Sequence, residues 1–411
     1  MKGYIFTLAG ADARRVMARG LHGTWQPGAG QPDWRAERWH TSMLATFADY
    51  QTISPGDRIF FFTNRLIYGI GRVVDFGTES AAFLNFPRSD EPNPPEPADD
   101  SAAIGPDADD EWRRIRLVVP FVPDPCYFAE GIDMDEVLAA PGAEAAWGLR
   151  FFHQVSFKQL GEAETRLLTQ VFERRFGNDG RPQEELVVEP ATHQPALDVS
   201  LHKPFSVSEM IRARPEAYLT GARVRYEELL HGLLIEELGR PPGTDRLLSD
   251  AARLDVFHEL AASPPKPPQW ADAIDVMGTS SFPGGGSSGS LPTSIHYQLL
   301  EAKRDDLAGD ESVYDRRISQ LMKYVDFIAH NYAGGNYAAV DAAYVAADFS
   351  PSILSRHREA LDYDAGVSSR SYVLNPREDS PTRRWSAIKL LRYRWDGGAG
   401  ELRLESADPQ M

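Results

Sequence analysis

The sequence predicts an α/β chain of two domains, and three observations predict it. In the first part, short β-branched and aromatic runs are separated by Gly, Pro and Asp turns. In the second part, long helical periodicities alternate with apolar strand-like runs. Between them, Asn178 to Pro204 is polar and proline-bearing, as a linker is. A chain of 411 residues has room for such a division, drawn here as residues 1–176 and 206–411 joined by 177–205.

Met1-Lys2-Gly3-Tyr4-Ile5-Phe6 reads as the opening of a strand, Gly3 to Leu8, rather than a basic-then-apolar leader. Asp12 to Arg19 reads as a short basic helix, and Gly20 to Trp39 as a loop rich in Gly, Pro and Trp. Ser54-Pro55-Gly56-Asp57 makes a turn before the buried strand Arg58 to Thr63, and Leu66 to Val74 is the next strand. Pro87 to Asp110 reads as an exposed insertion, Arg113 to Phe121 as a strand, and Glu162 to Phe176 as the closing helix. In the second domain, Val224 to Leu238 reads as an amphipathic helix stopped by Gly239 and Pro241. Strands follow around Ala273 and Tyr297, joined by the Gly/Ser run Pro283 to Ser290. Tyr314 to His330 and Ser352 to Leu361 are helices flanking the strand Ala338 to Ala346. Ser371 to Asn375, Ser386 to Arg394 and Glu401 to Glu405 finish as strands.

Composition bounds the function. At 42% hydrophobic and 25% charged, the chain is ordinary for a soluble globular protein. No apolar run approaches the roughly 18 residues of a membrane span. Cys126 is the single cysteine, which excludes an intramolecular disulfide and a cysteine zinc site and fits a reducing cytoplasm, the expected location. A net charge of -17 argues against general affinity for nucleic acid. Much of the acid sits in Ser89 to Glu111, however, and a metal-dependent nuclease keeps carboxylates in its cleft by necessity. Recognition of nucleic acid would therefore have to be specific.

The chemistry concentrates in Tyr297-Gln298-Leu299-Leu300-Glu301-Ala302-Lys303, an apolar strand ending in Glu-Ala-Lys. Residues two apart on a strand share a face, so Glu301 and Lys303 point the same way. Asp275 ends the run Ala273-Ile274-Asp275 upstream, and an acid between Ile274 and Val276 is costly to bury without a partner or a function. Two carboxylates and a lysine converging would make a divalent-metal site suited to cutting a phosphodiester. Asp275 and Glu301 would be hard oxygen ligands for Mg²⁺, with Mn²⁺ able to substitute. Lys303 would orient the attacking water or balance transition-state charge. The competing reading makes Glu301 and Lys303 an ion pair at a solvated strand edge.

In order, the chain offers a helix with Glu227, a strand with Asp275, a strand with Glu-x-Lys and a helix with Gln320. This resembles the PD-(D/E)xK nuclease superfamily, and "AIDVMG", "YQLLEAKRD", "RRISQLMKYVDFI" and "AAYVAADFS" most resemble its NucS-type branch. The resemblance covers about Ser206 to the C-terminus. It implies a restriction-endonuclease-like α/β/α core with a mixed sheet, with catalytic Glu227, Asp275, Glu301, Lys303 and Gln320. Glu227 would steady the metal or its waters, and Gln320 would hydrogen-bond near Lys303 or the attacking water, with Tyr324 on the same helical face. Glu228 adjoins Glu227 and competes for its role; Glu227 is favoured because Leu230, Leu233 and Leu234 lie on the face beside it.

Gly3 to Phe6, "SPGDRIFFFTN", "LIYGIGRVV" and "RFFHQVSFKQLGEAETRLL" resemble the PUA-like superfamily, closest to EVE domains, over about residues 1–176. The resemblance implies a β-barrel with helices that holds a modified base, often flipped from a duplex, in an aromatic pocket. Stacking on rings would offset the cost of extruding the base. Trp25, Trp34 and Trp39 would supply the aromatic surface, and Thr63 and Asn64 would read a base edge. The same tryptophans would serve equally as plugs for the barrel end. His22, His40 and His153 lack metal-ligand spacing and read as surface or hydrogen-bonding residues.

The expected function is a Mg²⁺-dependent DNA endonuclease directed to modified, foreign or phage DNA. The alternatives are a structure-specific nuclease for mismatched, branched or single-stranded DNA, and a catalytically inactive nucleic-acid-binding protein. Cutting both strands would call for two active sites and hence a homodimer.

Overall fold

The computed structural model describes residues 2–8, 16–18, 20–25, 41–77, 81–84, 115–143, 157–177, 187–188, 204–239, 248, 252–261, 273–282, 294–364 and 388–407. It is an α/β protein with mixed sheets, and the contacts divide it into two units. The first runs from Met1 to Ala213 and the second begins at Arg214, so the helix Val207–Ala213 belongs to the first. The acidic insertion, the Gly/Ser run, the strand expected at 371–375 and most of the linker lie outside the described residues.

The first unit contains strands β1 (Gly3–Thr7), β2 (Leu21–Trp25), β3 (Arg58–Thr63), β4 (Leu66–Val73), β5 (Phe83–Leu84), β6 (Ile115–Pro123), β7 (Tyr127–Phe128), β8 (Ile132–Asp133), β9 (Phe157–Leu160) and β10 (Val187–Val188). Its helices are α1 (Thr41–Thr52), α2 (Met134–Ala139), α3 (Glu162–Phe176) and α4 (Val207–Ala213). Among the described residues the main sheet runs β2-β6-β4-β3-β1-β9 and curls into a half-barrel, with β5 added on β6 and β8 on β4. β1 lies parallel to β3 and antiparallel to β9. The alternation of the Phe run decides what each ring does. Phe60 joins Ile5, Leu168 and Phe172 in the core beneath α3, whereas Phe61 turns to Phe6 and Phe121 on the other side. Residues 16–18 are helical, within the short helix expected there. Leu21–Trp25, expected as loop, is a strand paired with β6; its His22-Gly23-Thr24 polar and small residues conceal an edge whose partner is distant in sequence. α1 went unread because its residues lack a long apolar period.

Asn64 and Arg65 form the two-residue turn of the β3–β4 hairpin, with φ of 49° and 70° and Thr63 paired to Leu66. Positive φ at both central positions is the type I′ turn, which matches strand twist but strains a non-glycine residue by about 1–2 kcal/mol. Arg65 also reaches Asp135 at 2.5 Å, a pair exposed enough to contribute little. Arg65→Gly is therefore expected to raise stability by about 1 kcal/mol, measured by urea unfolding.

The second unit contains β11 (Leu219–Thr220), β12 (Arg223–Val224), β13 (Ala252–Ala261), β14 (Ala273–Phe282), β15 (Ser294–Ala302), β16 (Val340–Ala346), β17 (Lys389–Asp396) and β18 (Glu401–Ser406). Its helices are α5 (Pro215–Tyr218), α6 (Glu227–Gly239), α7 (Glu311–Asn331) and α8 (Pro351–Asp364). The sheet order is β13-β14-β15-β16-β17-β18. β15, β16 and β17 run parallel, while the flanking pairs are antiparallel. The two parallel steps are crossed by α7 and α8, as parallel neighbours require.

Side-chain parity places helices on both faces. Met277, Leu299, Ala342 and Tyr344 join Ile318, Leu321 and Val325 of α7 and Ile353 of α8 in one core. On the opposite face, a Cβ at Gly278 would stand 3.3 Å from Leu238 of α6. Val276 shares Gly278's face and pairs with Leu300. α6 starts at Glu227 rather than at 224, because Arg223 and Val224 pair back onto β11. It is not amphipathic as expected: Leu229 through Ile235 are all buried, since neighbouring elements cover it all round. α7 is capped by Asp310, whose carboxylate accepts from Ser312 N–H at 3.0 Å. Leu321 is fully buried between α7 and the sheet, so Leu321→Ala is expected to cost roughly 2–5 kcal/mol in chemical denaturation.

Candidate active site

Four of the residues read from the sequence meet at one end of the second unit's sheet. Lys303, just past the end of β15, is anchored by its backbone N–H on Val345 O at 2.8 Å. Its Nζ lies 2.9 Å from Glu227 Oε1, at the start of α6, and 3.7 Å from both Asp275 and Glu301. Glu227 rather than Glu228 therefore makes the recorded contact. Asp275 accepts a hydrogen bond from Ala302 N–H at 2.8 Å, which ties the start of β14 to the end of β15.

An irregularity in the outer strand pair aims Asp275. Phe257 and Leu260, and likewise Ile274 and Met277, are three apart yet join the same core. A regular strand would put each pair on opposite faces. The break falls at Glu259, whose φ is 47°, between the pairs His258–Val276 and Leu260–Ile274, where neither Glu259 nor Asp275 is paired. Such a break re-aims side chains, and Asp275 stands 3.7 Å from His231 on α6 instead of lying under α7.

The cluster grades from wet to dry. The Glu227 side chain is 35% exposed, Lys303 28%, Asp275 18% and Glu301 3%. Burial first, and the neighbouring Asp275 next, push the Glu301 carboxyl up to about 8, against the relief offered by Lys303 and Arg317. One oxygen of Glu301, Oε2, is buried without a hydrogen-bond partner. For Lys303, burial pulls the ammonium down, but Asp275, Glu301 and the hydrogen bond to Glu227 outweigh it and hold it above its ordinary value. Lys303 is a firm cation here.

Among the described residues no group of three His, Cys, Asp or Glu side chains is arranged to hold a metal ion by itself. A Mg²⁺ centre does not need one, because Mg²⁺ keeps several waters and takes one or two carboxylates plus substrate phosphate. Asp275 and Glu301 fit that role. A buried carboxylate with an orphan oxygen and a raised pKa is a group that a divalent cation would satisfy.

Gln320 is not brought into a recorded hydrogen bond with Lys303 or the carboxylates; its amide donates to Tyr324 Oη at 2.8 Å, one turn along α7. The sequence reading missed Tyr344, directly opposite Glu301 on β16, and Arg317 of α7, whose charge acts on both. It also missed His231 and His258, whose Nδ1 and Nε2 lie 3.1 Å apart. Burial lowers His231 to about 4, so it is neutral. A signal for β13 was present in Arg253-Leu254-Asp255-Val256, whose period of two marks a strand.

In the first unit, Trp34 and Trp39 lie outside the described residues, as does the side chain of Trp25. Trp25 belongs to β2 rather than to a loop. The Thr63 hydroxyl donates to Leu8 O at 3.2 Å, and Asn64 occupies the exposed hairpin turn. His22 is buried rather than superficial, its ring 4.0 Å from that of Phe6, and burial lowers it to about 3. His40 and His153 lie outside the described residues.

No protein-family model, curated protein or solved structure matches this chain. Among the described residues no helix is long and apolar enough to cross a membrane.

Proposed function

We propose that the second unit is a divalent-metal-dependent endodeoxyribonuclease with a PD-(D/E)xK core of the NucS type. The observation that carries this reading is the convergence of Glu227, Asp275 and Glu301 on the Lys303 amine within 3.7 Å, from three separate elements. A solvated ion pair at a strand edge would not bury Glu301 to 3% or leave one of its oxygens without a partner. Nor does a decayed site usually keep both carboxylates and the lysine.

The residues divide the work by position. Asp275 and Glu301 would hold Mg²⁺ or Mn²⁺, which would polarise the scissile phosphate and acidify a bound water. Lys303, charged and fixed by Glu227, would orient that water and offset charge developing on the phosphoryl oxygens. Arg317 would add positive charge on the α7 side.

The first unit, read as a PUA-like, EVE-like module, would direct cutting to DNA bearing a modified base. This part rests on the sequence motifs and the curled sheet that carries them. Incubation of the full chain with Mg²⁺ or Mn²⁺ and plasmid, modified phage DNA and mismatched duplexes tests both parts, with Glu301→Ala as control. Metal-dependent cutting lost in Glu301→Ala is expected, with modified DNA preferred. Equal cutting of modified and unmodified DNA would remove the modification reading, and preference for mismatches would favour a structure-specific nuclease. Binding without cutting under any metal would leave a nucleic-acid-binding protein.

A further inference from the structure

Two histidines run from the proposed metal centre into the interior. His231 follows Glu227 by one turn of α6, so the two share a helix face. Its Nε2 lies 3.7 Å from Asp275 Oδ2 and has no hydrogen-bond partner, while its Nδ1 lies 3.1 Å from His258 Nε2 on β13. His231 is 6% exposed and His258 4%. Burying two imidazoles is costly unless their nitrogens are used.

The chemistry of the contact fixes the protons. Two neutral imidazoles share a hydrogen bond when one nitrogen donates and the other accepts. If His231 Nδ1 donated, its bare Nε2 would face a carboxylate 3.7 Å away, acceptor against acceptor. If His258 Nε2–H donates, His231 carries its proton on Nε2, directed at Asp275. Every recorded contact of Asp275 falls on that same oxygen: Ala302 N–H, His231 and Lys303 all address Oδ2. Among the described residues no contact falls on Oδ1.

We propose that His258 and His231 are a positioning pair for Asp275: His258 sets the His231 tautomer, and His231 Nε2–H steers Oδ2 so that Oδ1 meets the metal. The inference rests on the nuclease reading's metal centre and adds the device that holds it. Outer hydrogen-bond partners of metal ligands commonly carry about 10–100-fold in metal affinity or activity.

The test is Mn²⁺ binding by the full chain without DNA, followed by electron paramagnetic resonance and calorimetry, alongside thermal unfolding and DNA cutting. His231→Gln keeps an amide N–H near the Nε2 position; His231→Asn offers one near Nδ1 instead. We expect His231→Asn to bind Mn²⁺ about 10–100-fold more weakly and His231→Gln to stay close to wild type. His258→Leu, which releases the tautomer without touching Asp275, falls between, and it carries the comparison should His231→Asn fail to fold. Wild-type affinity in folded His231→Asn, or equal loss in the Asn and Gln variants, would overturn the inference while leaving the nuclease reading intact. A wild-type chain that neither binds Mn²⁺ nor cuts DNA would overturn both.

Discussion

Glu301→Gln is expected to abolish cleavage and, in metal-free protein, to remove a source of instability at alkaline pH. The loss of cutting would follow from losing a ligand of the proposed metal centre. If the ligand contributes about 4 kcal/mol of transition-state stabilisation, the rate falls about 10³-fold in single-turnover assays. The stability effect follows from burial. The Glu301 carboxyl sits at about 8 in the fold against an ordinary value of 4.5. A raised folded-state pKa means that the fold binds the proton more tightly than the unfolded chain does. The contribution is therefore fully present below about 4.5 and is lost as pH rises through about 8. Metal-free wild type should lose stability across that window in thermal scans, and Glu301→Gln, neutral throughout, should lose none from this source. Mg²⁺ competes with the same proton, so its affinity should climb with pH and level off above about 8. A wild-type scan whose pH dependence is unchanged by Glu301→Gln would contradict the burial argument.

Lys303→Met is expected to separate catalysis from metal binding. Lys303 pairs with Glu227 at 2.9 Å and lies 3.7 Å from both Asp275 and Glu301. Without it the carboxylates repel one another, and a divalent ion becomes the remaining remedy. Mn²⁺ should therefore bind more tightly to the variant in calorimetry, while kcat falls about 10²–10³-fold, the range for a preorganised electrostatic donor. Lys303→Arg should not restore the rate, because a planar guanidinium cannot replace a compact ammonium held by Glu227 at 2.9 Å. Parallel loss of metal binding and rate would instead make Lys303 a structural support.

Much of the second unit was legible because its signals are local. The helical period of Tyr314 to His330 gave α7, which extends over Glu311–Asn331; in the first unit, the closing helix Glu162 to Phe176 was read with its observed bounds. Glu301 and Lys303 are two apart at the end of an apolar run, and although the strand stops at Ala302 their side chains come within 3.7 Å. Glu227 rather than Glu228 contacts Lys303, but the leucines did not mark a face beside it, because Leu229 through Ile235 are all buried. What escaped depends on pairing between distant segments. The strand Leu21–Trp25 needs β6, about a hundred residues on, before its hydrogen bonds make sense. Gln320 was placed near Lys303 or the attacking water by resemblance, and what the structure adds is a hydrogen bond from its amide to Tyr324, one turn along the helix.

The sequence by itself determined which residue types could do hydrolytic chemistry and which periodic segments would carry them, because helix and strand periods and the charge of a side chain are properties of a short stretch. The tertiary structure decided how dry each carboxylate is, which oxygen of Asp275 is occupied, and that a buried histidine from β13 backs a second one on α6. Those depend on the break at Glu259, the register of β14 on β15, and the helices covering both faces of the sheet. Desolvation and hydrogen-bond direction are set by whatever surrounds a group in space, and no stretch of sequence states its own surroundings.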